Sequence, residues 1–216
     1  MPKTLVLVPT DRERRLLSSS LAAGGRRIEL CGFGPVAAAA RTAALIATHA
    51  PERVLLVGIA GRLDDRLRLG AAYRFLRVAC HGVGAGSGAA FVPATRLGWR
   101  QWPGDPATAA AAVGDVIDLA ADGDDDAATG GLLLTVCAAS AGVEDVATRR
   151  GLFPDAAAED MEGFAVALAC RLAGVPLSIV RGISNTAGDR DPARWLVPEA
   201  VAAAAALAAR ILEPPR

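Results

Sequence analysis

Short apolar runs alternate along the chain with longer segments in which apolar residues recur at helical spacing. The apolar runs predict strands, which are Thr4–Val8, Ile28–Gly32, Arg53–Ile59, Tyr73–Ala79, Leu132–Val136 and Leu177–Ser184. The segments between them predict helices, several opened by Pro or Asp and closed near Gly: Asp11–Ala22, Pro35–Thr48, Pro106–Ala120, Gly142–Arg150, Met161–Ala173 and Pro198–Leu212. This alternation predicts an α/β fold, a three-layer αβα sandwich around a mixed, mostly parallel central sheet.

The length of the chain predicts the number of domains, and its charge bears on its partners. With 216 residues, 52% of them apolar, the chain is expected to form a single domain over residues 1–216 around one core. The formal net charge is zero, and Lys3 is the only lysine among 23 basic residues, so we expect no nucleic-acid partner. The acidic cluster at 122–126 lies between glycines and is typical of a solvated loop, so we expect no metal there.

Cysteine usage and hydropathy predict the compartment. The four cysteines are widely spaced, and each lies in an apolar stretch, as reduced core cysteines do: Cys31, Cys80, Cys137 and Cys170. The first apolar run is too short for a signal peptide, and no segment has the length and hydrophobicity of a membrane helix. We therefore expect a cytoplasmic protein with no membrane partner.

In parallel sheets ligands bind beyond the carboxyl ends of the strands, so the residues that follow each strand carry the candidate chemistry. After the first strand, Glu13 falls in the first turn of a helix, where a carboxylate either stabilises the helix or acts as a base. After the second, Gly32, Gly34 and Ala37 fit a Gly-x-Gly-x-x-Ala pattern. A dinucleotide site should open its domain, so we favour a tight packing turn over a dinucleotide-binding oxidoreductase.

Two later stretches carry more polar chemistry. In "EDMEGFAVA", Glu162 stands at the first turn of a helix beside Met161, as a helix-capping carboxylate or as a binding group. "VRGISNTAGDRD" delivers Asn185 to the end of a buried strand. Its amide both donates and accepts hydrogen bonds, so Asn185 is either a turn residue or a ligand contact. His81, in a glycine-rich loop, is either solvated or a substrate contact.

These stretches occur in a recognisable order. "LVPTDRE", "GIAG", "DMEGFAVA" and "VRGISNTAGDRDPARW" together resemble the purine nucleoside phosphorylase and nucleosidase superfamily, nearly end to end. Within it the chain looks most like the futalosine hydrolase family, whose members release hypoxanthine from futalosine in menaquinone biosynthesis. The first two motifs are shared more loosely with methylthioadenosine and adenosylhomocysteine nucleosidases. The resemblance implies an N-glycosyl hydrolase that acts on a small nucleoside, with no cofactor and no metal.

The resemblance also implies roles for individual residues. Glu13 would activate the attacking water, Glu162 would accept hydrogen bonds from the ribose hydroxyls, and Asn185 would face the base. The residues implied in substrate binding are Ile59, Ala60, Met161 (under the sugar), Arg181 (supporting the Glu162 carboxylate), Ser184 (facing the base) and Trp195 (near the base or the substrate tail).

Asn185 bears on the choice of base. Similar nucleosidases that act on adenosine derivatives carry an aspartate there, whereas an amide can donate to a 6-oxo group and accept from a protonated N7. The asparagine therefore predicts a 6-oxopurine. Where adenine-specific relatives stack a phenylalanine on the base, this chain has Ala139, which leaves Phe153 and Trp195 as substitutes.

Several alternatives stay open. A 6-oxopurine nucleoside phosphorylase would need an anion site, but "PTDRE" lacks the glycine of the phosphorylase Gly-Asp-Pro-x-Arg motif. Methylthioadenosine or adenosylhomocysteine hydrolysis is disfavoured by Asn185, and a non-catalytic nucleoside-binding protein is a further candidate. The sequence does not choose among arginines for the carboxylate on the futalosine tail; the candidates are Arg77, Arg96 and Arg100. The resemblance implies a homodimer or higher homo-oligomer, to which Trp99 and Trp102 would contribute if they are not local core.

Overall fold

The computed structural model describes residues 3–21, 27–107, 111–119 and 129–213. The strands are β1 (Thr4–Val8), β2 (Arg27–Leu30), β3 (Arg53–Arg62), β4 (Ala72–Phe75), β5 (Arg77–His81), β6 (Gly84–Ala85), β7 (Val92–Pro93), β8 (Val116–Asp118), β9 (Leu132–Val136), β10 (Ala156–Asp160) and β11 (Leu177–Thr186). The α-helices are α1 (Asp11–Leu21), α2 (Pro35–His49), α3 (Val143–Leu152), α4 (Gly163–Ala173) and α5 (Val197–Leu212). Short 3₁₀ turns lie at Gly88–Ala90, Ala94–Leu97 and Pro192–Arg194.

Nine of these strands form one mixed, mostly parallel sheet, in the order β2-β1-β3-β10-β9-β5-β8, with β11 paired to β3 and β4 paired to β11. The first half of β3 lies between β1 and β11, both parallel to it. Its last residues stay paired with β11, while on the other edge β10 replaces β1, in antiparallel register at Gly61↔Glu159 and Arg62↔Ala158. The strand β3 thus joins the two parts of the sheet, and the ends of β1, β10 and β11 meet beside it.

Alternate residues of each strand face opposite helical layers. On β1, Leu5 and Leu7 pack in the core cluster that includes α2 and α4, whereas Val6 and Val8 pack in the cluster that includes α1 and α5. The helix α3 lies on the latter side, where Val146 packs against a third cluster with residues of β9. The predicted three-layer αβα architecture is confirmed.

One predicted helix was wrong, and one strand was missed. The segment 106–120 is not a helix in its described part: Val116–Asp118 forms β8, which pairs antiparallel with β5. The run Ala156–Asp160, where the sequence predicted no strand, is the fully buried strand β10. The predicted strand Tyr73–Ala79 is two strands, β4 and β5, and α4 begins at Gly163, two residues later than predicted.

The cysteines agree with the sequence prediction at three positions of four. Cys31, Cys80 and Cys170 are buried, and burial raises their pKa values to about 12, 11 and 12, so these thiols stay protonated. Cys137 is exposed, against the prediction, because it follows the end of β9.

Other predictions meet the structure only in part. The acidic cluster at 122–126 lies outside the described residues. Trp99 is 72% exposed, while Trp102 packs against the core, and the homo-oligomer stays a prediction. Within the described ranges no helix combines the length and the apolar character that crossing a membrane requires.

Candidate active site

A cavity of about 490 Å³ opens at the carboxyl ends of β1, β9, β10 and β11. Eight of the nine site residues predicted from the sequence line it: Glu13, Ile59, Ala60, Met161, Glu162, Ser184, Asn185 and Trp195. The ninth, Arg181, is fully buried behind the wall. The topology thus gathers residues as far apart in the sequence as Glu13 and Trp195 at one edge of the sheet.

Glu13 is held by three hydrogen-bond donors at the start of α1. Its Oε1 accepts from the Ile59 amide at 3.1 Å, and its Oε2 accepts from the Thr10 amide at 3.1 Å and the Thr10 hydroxyl at 2.5 Å. The side chain is buried, and these three donors fix its orientation. The carboxylate is therefore preorganised to accept a proton at the cavity wall.

Glu162 is buried at the N-cap position of α4, although its side chain makes no capping hydrogen bond there. Its Oε1 accepts a hydrogen bond from the Gly34 amide at 3.0 Å. Burial raises the pKa of Glu162 from 4.5 to about 7, with Asp160 and Glu13 adding to the rise, whereas Arg181 and the Gly34 amide oppose it. Its charge is therefore sensitive to pH near neutrality.

Arg181 pairs mainly with Asp160 and reaches Glu162, the partner that the resemblance implied, as a second contact. Its Nε and Nη2 lie 3.0 and 2.5 Å from Asp160 Oδ2, whereas Nη2 lies 3.4 Å from Glu162 Oε2. Asp160 also accepts from the Gly163 amide at 2.8 Å and the Thr135 hydroxyl at 2.6 Å. A charge buried in an apolar strand requires such a partner. Asp160 thus fixes the guanidinium, which reaches Glu162 as a second partner.

The position of Gly58 explains how Arg181 and Glu13 come together. A Cβ at Gly58 would lie 2.2 Å from Arg181 Nη1 and 2.8 Å from Glu13 Oε1, so only glycine leaves room for both. Arg181 Nη1 is buried and has no hydrogen-bond partner among the described residues. A buried donor without a partner is costly and is usually satisfied by a ligand or water.

Asn185 follows an irregularity in β11, where the pairing register with β3 shifts between Ile183 and Asn185. Its Oδ1 accepts from the Ser184 hydroxyl at 2.8 Å, and its Nδ2 donates to the Thr186 carbonyl at 3.0 Å. These contacts fix which end of the amide donates. Each end keeps one further hydrogen-bonding position for a ligand.

The Gly-x-Gly-x-x-Ala stretch is a packing turn, as we favoured. Gly32 and Gly34 both have positive φ, and a Cβ at Gly32 would lie 3.0 Å from the Ala37 Cβ. The turn presents the Gly34 amide to the Glu162 carboxylate, so its backbone donor is already used. The loop therefore contributes to the cavity by holding Glu162 and through the side chain of Phe33.

The structure separates the aromatic candidates. Trp195 lines the cavity, but Phe153 is core, and His81 packs edge-on against Phe91 at 4.7 Å outside the cavity lining. Phe33, which is 65% exposed, lines the cavity and was missed. The sequence feature that could have indicated Phe33 as a cavity residue is its position after β2. Ala139 also lines the cavity, as its alignment implied.

A buried ion pair that the sequence analysis missed supports another wall. Glu159 Oε2 accepts from Arg149 Nη1 at 2.6 Å and from the Ser140 hydroxyl at 2.7 Å, and its Oε1 accepts from the Ser140 amide at 2.8 Å. Arg149 also donates to the Ala138 carbonyl at 2.6 Å. The pair fixes the loop after β9. In the described ranges no group of three or more His, Cys, Asp or Glu side chains is arranged to hold a metal ion.

Comparison with known proteins identifies the family of the chain. A family model described as the phosphorylase superfamily matches residues 4–214. A futalosine hydrolase of Streptomyces coelicolor is 33% identical over 180 residues, which are 80% of this chain and 72% of that protein. A 5′-methylthioadenosine/S-adenosylhomocysteine nucleosidase of Colwellia psychrerythraea is 34% identical over 171 residues, which are 74% of this chain and 67% of that protein.

Solved structures share the fold. The Colwellia psychrerythraea nucleosidase in complex with adenine has a TM-score of 0.77 at 24% identity, covering 98% of this chain and 94% of its own. Futalosine hydrolase of Helicobacter pylori has a TM-score of 0.75 at 16% identity, covering 98% of this chain and 97% of its own. From the family model and the relatives above 30% identity, the chain belongs to the phosphorylase superfamily.

Proposed function

We propose that this enzyme is a nucleosidase that hydrolyses the N-ribosidic bond of futalosine and releases hypoxanthine. The observation that carries the proposal is the oriented amide of Asn185, in the same cavity as the carboxylates of Glu13 and Glu162. The relatives named futalosine hydrolase support the same assignment.

The charges of the cavity suit the cleavage of an N-ribosidic bond. Positive charge develops on the ribose and negative charge on the departing purine, so a fixed anion near the sugar lowers the barrier. Glu162 supplies that anion when it is ionised, and its Oε2 is free of the Gly34 amide to accept from ribose hydroxyls. Met161, between Asp160 and Glu162 in the sequence, provides the apolar surface under the sugar.

Glu13 is the base for the attacking water in this proposal. Its Oε1 lies beside Gly58, as does the unpartnered Arg181 Nη1. A water held against this carboxylate on the cavity side would donate a proton to it while it attacks the anomeric carbon. Positioned general bases contribute about 10²- to 10⁴-fold to such reactions.

Asn185 provides the base selectivity. Its Nδ2 has a second hydrogen for the 6-oxo group of hypoxanthine, and its Oδ1 has a second lone pair for N7–H of the leaving base. An aspartate in the same place would set an oxygen against the Thr186 carbonyl, 3.0 Å away, where the amide donates. Mispaired buried polar groups discriminate by up to about 10⁴- to 10⁵-fold.

The test compares base release from futalosine, inosine and methylthioadenosine, each with and without phosphate. We expect phosphate-independent hypoxanthine release from futalosine, reduced about 10²-fold or more in Glu13→Gln. In Asn185→Asp, we expect hypoxanthine release to fall by a similar factor while adenine release rises. Phosphate-dependent turnover would indicate a phosphorylase and contradict the proposal.

The second candidate is methylthioadenosine/adenosylhomocysteine hydrolysis. It is favoured by relatives with those names at 32% to 34% identity, comparable to the futalosine hydrolases. Both candidates use the same carboxylates and differ in the base and in the 5′ substituent. Adenine release from methylthioadenosine by the unmodified enzyme, without hypoxanthine release from futalosine, would select this candidate.

A further inference from the structure

The charged residues that line the cavity are divided by depth. Its carboxylates are all buried and all hydrogen-bonded, and they are Glu13, Glu159, Asp160 and Glu162. Its two arginines, Arg12 and Arg190, are exposed at the mouth. A ligand that reaches the floor therefore passes a rim that carries only positive charge.

Arg12 stands between two acidic residues that are both engaged elsewhere. Asp11 Oδ1 accepts from Arg14 Nη2 at 2.6 Å, and Asp11 Oδ2 lies 3.5 Å from Arg15 Nε. Glu13 points inward, where it accepts hydrogen bonds from the Ile59 and Thr10 amides and the Thr10 hydroxyl. Among the described residues, no carboxylate lies within ion-pair distance of Arg12.

The same pattern recurs at Arg190, after β11. Asp189 Oδ1 accepts from Arg194 Nη2 at 2.6 Å, and Asp191 accepts from the Ala193 amide at 3.1 Å and lies 3.5 Å from Arg194 Nε. Arg194 thus takes both acidic neighbours. No described carboxylate is left for Arg190.

The guanidinium of Arg190 is nevertheless held in place. It lies over the Trp195 ring, 5.5 Å from the centroid, a stacking contact that leaves its N–H edge open. The ring is itself fixed, because Trp195 Nε1 donates to the Asp189 carbonyl at 3.1 Å. Ordering the arginine before binding reduces the entropy that a bound anion would cost.

We propose that Arg12 and Arg190 form a subsite for a carboxylate carried on the 5′ side of the nucleoside. The inference rests on the proposed function: the base and the ribose hydroxyls occupy the floor, so a 5′ substituent leaves through the mouth. Apolar side chains line the way between floor and rim, namely Leu16, Phe33, Trp195 and Val197. The subsite therefore fits an aromatic or aliphatic acid, and Arg77, Arg96 and Arg100 lie outside the lining.

The test replaces Arg12 or Arg190 with Met and compares futalosine with its neutral methyl ester. Partly exposed charge-assisted contacts contribute about tenfold each. We expect the ratio of kcat/KM for futalosine to that for the ester to fall roughly tenfold in each variant, mainly through KM. The control is Arg15→Met, on the same helix but outside the lining, which should keep the wild-type ratio. An unchanged ratio in both arginine variants would overturn the proposal.

A binding measurement separates this proposal from the choice of substrate. Thermal shifts of the wild-type protein with futalosine and with its ester are compared, whether or not either is cleaved. A larger shift with the acid that is lost in Arg190→Met supports the subsite even if the catalysed reaction is another one. Equal shifts with acid and ester overturn it. If inorganic phosphate stimulates turnover and Arg12→Met abolishes that stimulation, the anion is free phosphate, and the proposal is equally overturned.

Discussion

The substitution Glu162→Gln should stabilise the protein above neutral pH while it removes activity. Burial raises the pKa of Glu162 from 4.5 to about 7, so the folded protein holds this proton more tightly than the unfolded chain. The protonated Glu162 carboxyl makes its full contribution to the free energy of unfolding below pH 4.5, and this contribution declines as the pH rises. Above pH 7 the loss is complete.

The size of the effect follows from the two pKa values. At about 1.4 kcal/mol per pH unit, the interval from 4.5 to about 7 corresponds to about 3 kcal/mol, most of it lost between pH 5 and pH 8. Glutamine resembles the protonated carboxyl in shape and charge, and it does not ionise. The variant should therefore gain about 2 to 3 kcal/mol relative to wild type when the pH is raised from 5 to 8.

The assay is urea unfolding of both proteins at pH 5 and pH 8. Comparing the difference at two pH values cancels any effect of the substitution that does not depend on pH. Glu52→Gln, at an exposed position, measures what an amide substitution does by itself. If the free energies of unfolding of Glu162→Gln and wild type differ by the same amount at pH 5 and pH 8, the reasoning from burial is refuted.

Three further outcomes are expected. In wild type, kcat/KM should rise with pH through about 7 as Glu162 ionises, and a pH–rate profile without that rise would contradict its role as the anion. Gly58→Ala should reduce kcat/KM about 10²-fold, because its Cβ would lie 2.2 Å from Arg181 Nη1; wild-type kinetics would show that the guanidinium tolerates displacement. Arg149→Met should lower the free energy of unfolding by about 3 to 5 kcal/mol, because it leaves the Glu159 carboxylate buried without its cation. Urea unfolding measures this loss, with Arg150→Met at the exposed neighbouring position as the control.

The apolar pattern predicts the sheet where strands are continuous hydrophobic runs. β1 and β9 have the predicted bounds because each is a short apolar run. β10 escapes prediction because alanines carry little strand propensity, and its burial comes from its neighbours β3 and β9. In the described part of the segment 106–120 the helix prediction fails because Val116–Asp118 pairs with β5, and such tertiary pairing overrides local helix propensity.

The site is predictable to the extent that its residues follow strands. Glu13 follows β1, and Asn185 lies near the end of β11. The structure brings both to one cavity with Glu162, although their roles stay predictions. The partner of Arg181 was not predictable. A cation in an apolar strand indicates a buried acid, but "EDME" offers three, and only the register of β10 selects Asp160.

Because of the Arg181–Asp160 contact, some residues in and around the cavity can be substituted singly and others cannot. Asp160, Arg181 and Gly58 constrain one another, so a change at any one requires compensating changes at the others. The side chains of Ile59 and Trp195 line the cavity without holding this cluster together. Substrate preference in this lineage can therefore drift by single substitutions at the second kind of position, while the hydrolytic centre is inherited as a unit.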